Sequence, residues 1–222
     1  MIKFFEESLS HTSLVGNIIL FFLIFSTVFL VPLFPLNWHH YSYSILFTFL
    51  FYATVLILDK HWKPMLIIAI FLTLVEWAVS VMHLVYLTAI SRLLILLFFN
   101  FVVIFLILQI ASTQQVSLKV ILSSINGYLL LGLVFSLLLG LTHRIYPDAF
   151  NFPEGVDQTV SRMSDYIYYG FVTLTTLGYG DIAPQIPIAK SVAILTSVSG
   201  QIYLAVIIAL LVGKYAGSTH QE

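Results

Sequence analysis

From Ser13 to Phe34 the chain carries no charged side chain and only a few polar ones, and the run is closed by Pro32 and Pro35. An α-helix needs about 20 mostly apolar residues to cross the hydrocarbon core of a bilayer, and this run has that length. The pattern recurs. Tyr43 to Leu58 is a second, shorter run, ended by Asp59-Lys60-His61-Trp62-Lys63. Pro64, suited to a first helical turn, opens a third that reaches Leu87. A fourth runs from about Ala89 to Ala111, before the polar break Ser112-Thr113-Gln114-Gln115. A fifth covers about Leu118 to Leu141, and Pro187 opens a sixth that ends near Lys214. Charged residues make up only 9% of the chain and hydrophobic ones 60%, against about 25% charged in an ordinary soluble domain. The solvent for most of this chain is therefore expected to be lipid, and the fold an all-α membrane protein with six transmembrane helices.

Several function classes fall away. A net charge of −1 offers no basic face for nucleic acid. Without cysteine there is no disulfide framework, thiolate metal site or cysteine nucleophile. No Gly-rich phosphate loop, His-Glu-x-x-His helix or serine nucleophile elbow occurs, so no enzyme is expected. His39-His40 beside Trp38 is read as an external loop, and two adjacent histidines without a third ligand read as interfacial side chains. Met1 to Ser13 contains Glu6 and Glu7 and lacks a basic start, which speaks against a removable signal peptide.

Six spans put both termini on one side. With the N-terminus cytoplasmic, Lys3, Lys60, Lys63, Lys119 and Lys214 lie inside and Arg92, Arg144, Arg162 and Lys190 outside. The Lys60/Lys63 pair in a short loop favours this orientation. The expected setting is the plasma (inner) membrane with both termini cytoplasmic.

The interval between the fifth and sixth spans departs from a plain helix bundle. Thr142 to Arg162 is polar and loop-like, with Pro147, Pro153 and Gly155. Met163 to Thr176 is apolar and aromatic but too short to span, and it reads as a re-entrant helix. It ends in Thr175-Thr176-Leu177-Gly178-Tyr179-Gly180-Asp181, after which Pro184 and Pro187 prevent an immediate return to helix. Irregular backbone at membrane depth is tolerated only where protein buries it or where it lines an aqueous path. Glycine at alternate positions lets successive carbonyls turn to one side. Four such strands around an axis would make rings of oxygens able to replace the hydration shell of a monovalent cation. One chain supplies one strand, so the working unit is expected to be a homotetramer.

The string Thr173-Leu174-Thr175-Thr176-Leu177-Gly178-Tyr179-Gly180-Asp181 resembles the signature of the potassium channel family, whose filter reads Thr-Val-Gly-Tyr-Gly. Leu177 in place of Val is the one departure, and it keeps the carbonyl. The resemblance implies a pore domain over residues 116–222: outer helix, pore helix, filter and inner helix. It implies that the carbonyls of Thr176, Leu177, Gly178 and Tyr179, with the Thr176 hydroxyl, coordinate dehydrated K⁺, and that Gly180 completes the filter. Thr175, Tyr168, Tyr169 and Asp181 would support it, the two tyrosines standing where the family often has an aromatic cuff; they read equally as ordinary aromatic core, and a hydroxyl bond to Asp181 or Tyr179 would reconcile the two. Where some relatives have a pore-helix acid as partner of the filter Asp, this chain has Val172, so Asp181 must find another donor or face water. Gly200 matches the family's inner-helix hinge, with close helix packing as the alternative.

Residues 1–115 resemble a voltage-sensor module in the order and number of their spans, but not in charge. From Arg92, the positions at three-residue spacing are Ile95, Phe98, Phe101, Ile104 and Ile107, all apolar. The module is expected to be a non-sensing four-helix bundle. Glu76 falls near the centre of the third span, an expensive place for a carboxylate. A short turn near Thr88 would set Glu76 level with Asn100 and His83 nearly level with Arg92. Glu76 is then either a protonated acid hydrogen-bonded within the bundle, with Asn100 its partner, or a proton or ligand sensor. With only the short stretch Tyr215–Glu222 after Lys214, no cytoplasmic regulatory domain is expected in this chain.

The sequence thus predicts a homotetrameric, lipid-embedded K⁺ channel with the permeant ion as its ligand and little voltage dependence. A poorly selective monovalent cation channel is the nearest alternative. A membrane sensor or transporter whose re-entrant segment binds an ion without conducting it is another, although transporters usually carry a second, symmetry-related broken helix and only one is found.

Overall fold

The structure is a computed structural model, and it describes residues 14–57, 62–81, 85–113, 116–152 and 162–219. The described residues form seven α-helices: α1 (Leu14–Phe25), α2 (Leu36–Leu56), α3 (Trp62–Val81), α4 (Val85–Ser112), α5 (Leu118–Ile145), α6 (Met163–Leu174) and α7 (Pro187–Thr219). Among these residues there is no strand, only an isolated antiparallel bridge between Phe150 and Pro184. Among the described residues, four stretches are long and apolar enough to cross a membrane: Leu14–Leu33, Ile90–Ser112, Leu118–Ile145 and Pro187–Ala216. The protein is a multi-pass membrane protein.

The first span shows how proline shapes a helix end. Pro32 cannot donate to the carbonyl four residues back and its ring crowds it. The helix responds by widening into a π-turn over Ser26–Leu30 and then tightening into a 3-10 turn over Val31–Leu33. Thr27 Oγ1 donates to the Leu23 carbonyl at 2.8 Å, occupying an acceptor within the altered ladder. Pro35 then stands at the N-cap of α2.

Several boundaries differ from the sequence reading. The second helix starts at Leu36, not Tyr43, so His39 and His40 lie on its first turns and not in a loop. His39 is buried, and its Nε2 donates to the Phe34 carbonyl at 2.9 Å. Polarity misled there: Asn37, His39, His40 and Ser42 interrupt the apolar run, but a helix end in the interfacial region tolerates them. The fifth helix continues to Ile145 and the last to Thr219.

The turn of the third and fourth spans is also displaced. α3 ends at Val81 and α4 begins at Val85, so Thr88 is helical. The turn near Thr88, on which the expected level match of Glu76 with Asn100 rested, is therefore not at that position. Asn100 Nδ2 instead donates to the Leu96 carbonyl of its own helix at 3.0 Å. The Glu76 side chain and His83 lie outside the described residues.

α5 is the hub. It packs against α1, α4, α6 and α7, while α2 and α3 complete the bundle and α2 also touches α6. One apolar core joins bundle and pore helices, with Leu20, Ile24, Leu50, Leu106, Ile110, Leu130 and Leu174 wholly enclosed. Rings knit α2 to α4, with Phe51 and Phe98 centroids 4.5 Å apart. At the far end of α7, Lys214 Nζ donates to the Ile110 carbonyl and, at 3.1 Å, to that of Ala111. Those carbonyls belong to the last turn of α4, the negative end of its dipole.

Candidate functional site

The short helix α6 is fitted into α5 through small residues. Gly170 lies where a Cβ would meet the Ser136 backbone at 3.3 Å, and the Phe171 ring fills the notch left by Gly132. Ser136 Oγ donates to the Gly132 carbonyl at 2.8 Å, so its hydroxyl is satisfied inside its own helix. These contacts bring the end of α6 to a fixed depth, with Leu174 fully buried. Gly200 of α7 closes over the same point: a Cβ there would fall 2.9 Å from Leu174 Cδ1 and nearer still to the Leu174 carbonyl oxygen. Of the two readings of Gly200, close packing is the one with a contact behind it; α7 runs unbroken through this position.

Past Leu174 the backbone changes character. Thr176, Gly178 and Gly180 have positive φ, at 61°, 58° and 85°. Gly178 and Gly180 adopt such angles freely, but a β-branched threonine there is an outlier. Gly178 and Gly180 are the alternate glycines of the sequence, and Thr176 extends the alternation by one residue that the sequence did not suggest. Backbone donors are consumed on the inner side: Thr176 N–H goes to the Thr173 carbonyl at 3.0 Å, Leu177 N–H to the Val172 carbonyl at 3.0 Å and Gly178 N–H to the same carbonyl at 3.2 Å. In a planar trans peptide the carbonyl is antiparallel to the following N–H. The carbonyls of Thr175, Thr176 and Leu177 therefore point away from α6. Thr175 Oγ1 caps the Phe171 carbonyl at 2.7 Å, and Thr176 Oγ1 donates to the Thr175 carbonyl at 2.6 Å. Residues 175 to 181 are all exposed in the single chain, including Leu177 at 55% and Tyr179 at 68%.

Asp181 has a donor. Tyr168 OH reaches its Oδ2 at 2.7 Å. That bond pushes the Tyr168 phenol up to about 12 and holds the Asp181 carboxyl below the usual carboxylate range. The adjacent Tyr169 behaves differently. It is buried, and its ring stands edge-on to Phe150, centroids 5.4 Å apart. Of the two tyrosines read as a possible cuff, one bonds to the filter and the other is core.

A second tie at the mouth was not anticipated. Asn151 N–H donates to the Ala183 carbonyl at 3.2 Å, the Ala183 N–H donates to Asn151 Oδ1, and Gln185 N–H donates to the Ala149 carbonyl at 2.8 Å. The loop after α5 thus holds the segment after the filter. The sequence signal, an asparagine in Asn151-Phe152-Pro153, is weak without knowing which segment it faces. No group of three or more His, Cys, Asp or Glu suited to a metal ion occurs among the described residues.

Residues 124–216 match a family described as ion channel. Two relatives agree, both "Potassium voltage-gated channel subfamily A member 10", from Mus musculus and Homo sapiens; each is 32% identical over 93 residues, 40% of this chain. The chain covers only 18% of the length of those relatives. No solved structure gives a significant match.

Proposed function

We propose that the chain forms a homotetrameric potassium-selective channel, with K⁺ as the ion it passes. The observation that carries this reading is the backbone after Leu174: alternating positive φ and N–H groups turned back to α6 leave consecutive carbonyls directed away from the protein. Four copies about an axis would stack the oxygens of Thr176 and Leu177, joined by those of Gly178 and Tyr179, into rings that replace water around K⁺, with Gly180 completing the outer end. The exposure of Leu177 and Tyr179 and of the apolar side chains along α7, such as Ile194, Leu195, Ile202 and Ile208, supports burial against neighbouring copies.

In this reading α1 to α4 form a peripheral bundle (residues 1–115) and α5 to α7 the pore domain (116–222). α1 to α5 and α7 make six spans, and α6 enters and leaves the same side. Both termini face the cytoplasm of a plasma (inner) membrane. Transport is passive and involves no covalent step. Voltage dependence is weak, because Ile95, Phe98, Phe101, Ile104 and Ile107 follow Arg92 along α4. The deciding experiment is a planar-bilayer recording of the purified protein in asymmetric K⁺ and Na⁺. A reversal potential near the K⁺ equilibrium value is expected, and conduction should be lost, or K⁺ selectivity with it, in Gly178→Asp. K⁺-selective current surviving that substitution would refute the carbonyl-ring reading, and a reversal near zero in the parent would favour the poorly selective alternative.

A further inference from the structure

One turn of α5 is gripped from two sides, by residues the filter does not use. On one side stands Asn17 of α1, wholly buried. Its Oδ1 accepts the Ser123 hydroxyl at 3.1 Å, and the Asn126 amide donates to its backbone carbonyl at 2.8 Å and to its Oδ1 at 3.2 Å. On the other side stands Tyr203 of α7, also buried, whose hydroxyl donates to the Ser124 carbonyl at 2.8 Å. The Tyr203 ring end occupies the space that a Cβ on Gly127 would need. Residues 123–127 are thus bound to α1 through side chains and to α7 through backbone and a missing side chain.

Lipid tails are as apolar as the leucines around this turn, so apolar contact alone gives α1 little reason to choose one register on α5. Interhelical hydrogen bonds do. Asn17, Ser123 and Asn126 are all nearly or wholly buried, so few competing partners are at hand. Tyr203 stands three residues beyond Gly200, whose tight contact is the Leu174 carbonyl at the base of the filter. A shift of α1 would therefore meet a continuous series of packed groups ending on the inner helix beside the filter.

We propose that Asn17, Asn126 and Tyr203 are positioning residues that couple the peripheral bundle to the inner helix of the same chain, so that the seating of α1 sets the open-to-closed ratio of the pore. This rests on the channel reading above. Continuity in space becomes coupling only if both ends bias the same element, and that can be measured. In the full-length protein in planar bilayers, Asn17→Leu and Tyr203→Phe should each change the open-to-closed ratio about three- to fivefold, in the same direction, the worth of one interhelical hydrogen bond in a bilayer. The double variant should change it by clearly less than the product of the two. Multiplicative effects, or no change in Tyr203→Phe, would overturn the proposal. Ser123→Ala, which removes one donor and leaves the Asn126 bonds, serves if Asn17→Leu does not fold, and the same cycle is read with it. Hydrogen exchange in nanodiscs gives a readout independent of conduction: loosening α1 should speed exchange severalfold in α7 around Tyr203. Faster exchange in α1 with α7 unchanged would overturn the coupling. A parent that conducts no K⁺ would sink the channel reading, and exchange would still decide whether α1 and α7 are linked.

Discussion

Gly200→Ala probes the tightest meeting of the inner helix with the pore helix. A Cβ built on Gly200 falls 2.9 Å from Leu174 Cδ1 and 3.0 Å from Leu174 Cγ, where ordinary contact begins at 3.4 Å. The Leu174 carbonyl oxygen is nearer still, and it is backbone, so it cannot swing aside as a side-chain tip could. Leu174 is wholly buried at the end of α6, one residue before the cap of the filter turn, so relief requires α7 to back away or the filter base to move. Overpacking of this kind costs about 1–3 kcal/mol, and the helix preference of Ala over Gly returns up to about 1 kcal/mol. The net is a loss of about 1–2 kcal/mol per chain, or a fall of about 2–8 °C in melting temperature. Gly213→Ala is the control, because nothing lies within 4 Å of a Cβ at that position; it should melt at or above the parent. Thermal unfolding of the detergent-solubilised protein in K⁺, followed by size-exclusion fluorescence, measures both. Gly200→Ala as stable as Gly213→Ala would refute the packing argument, and altered gating at unchanged stability would restore the hinge reading.

Three further outcomes follow from the same geometry. Tyr168→Phe removes the donor to Asp181, so the carboxyl should titrate upward toward its ordinary value of 3.8; in the parent the bond stabilises the filter mouth above that value and is lost as pH falls through the lowered one, which carbon-detected NMR of labelled Asp would resolve. Because no charged residue follows Arg92 at three-residue spacing, open probability should vary only shallowly between about −100 and +100 mV, full transfer of one charge being worth about 2.3 kcal/mol per 100 mV; a steep curve abolished by Arg92→Gln would show that this residue does cross the field. Glu76→Gln should leave current at neutral pH unchanged if the acid is protonated in the bundle, while a pH-dependent parent current made flat by the substitution would identify Glu76 as a sensor.

The all-helical, lipid-facing character of the chain and the short helix Met163–Leu174 before the glycines were legible because they rest on local quantities. Solvent is read from hydropathy over a span, helix starts from Pro64 and Pro187, and left-handed backbone from Gly178 and Gly180. The positive φ of Thr176 was not legible, since threonine disfavours it and only the hydrogen bonds to Val172 and Thr173 hold its neighbours in place. The bond to Asp181 was legible only as one option for either of two tyrosines, because residues 168 and 181 meet only after the chain has reversed around the filter. The level match of Glu76 with Asn100 hung on one turn near Thr88, and a helix runs through that residue. Asn17, Ser123, Asn126 and Tyr203 read in sequence as scattered polar residues within apolar runs. Only packing showed that they share one turn of α5, because which faces of two apolar helices meet is decided by small residues and buried hydrogen bonds and not by hydrophobicity, which in lipid is nearly the same on every face.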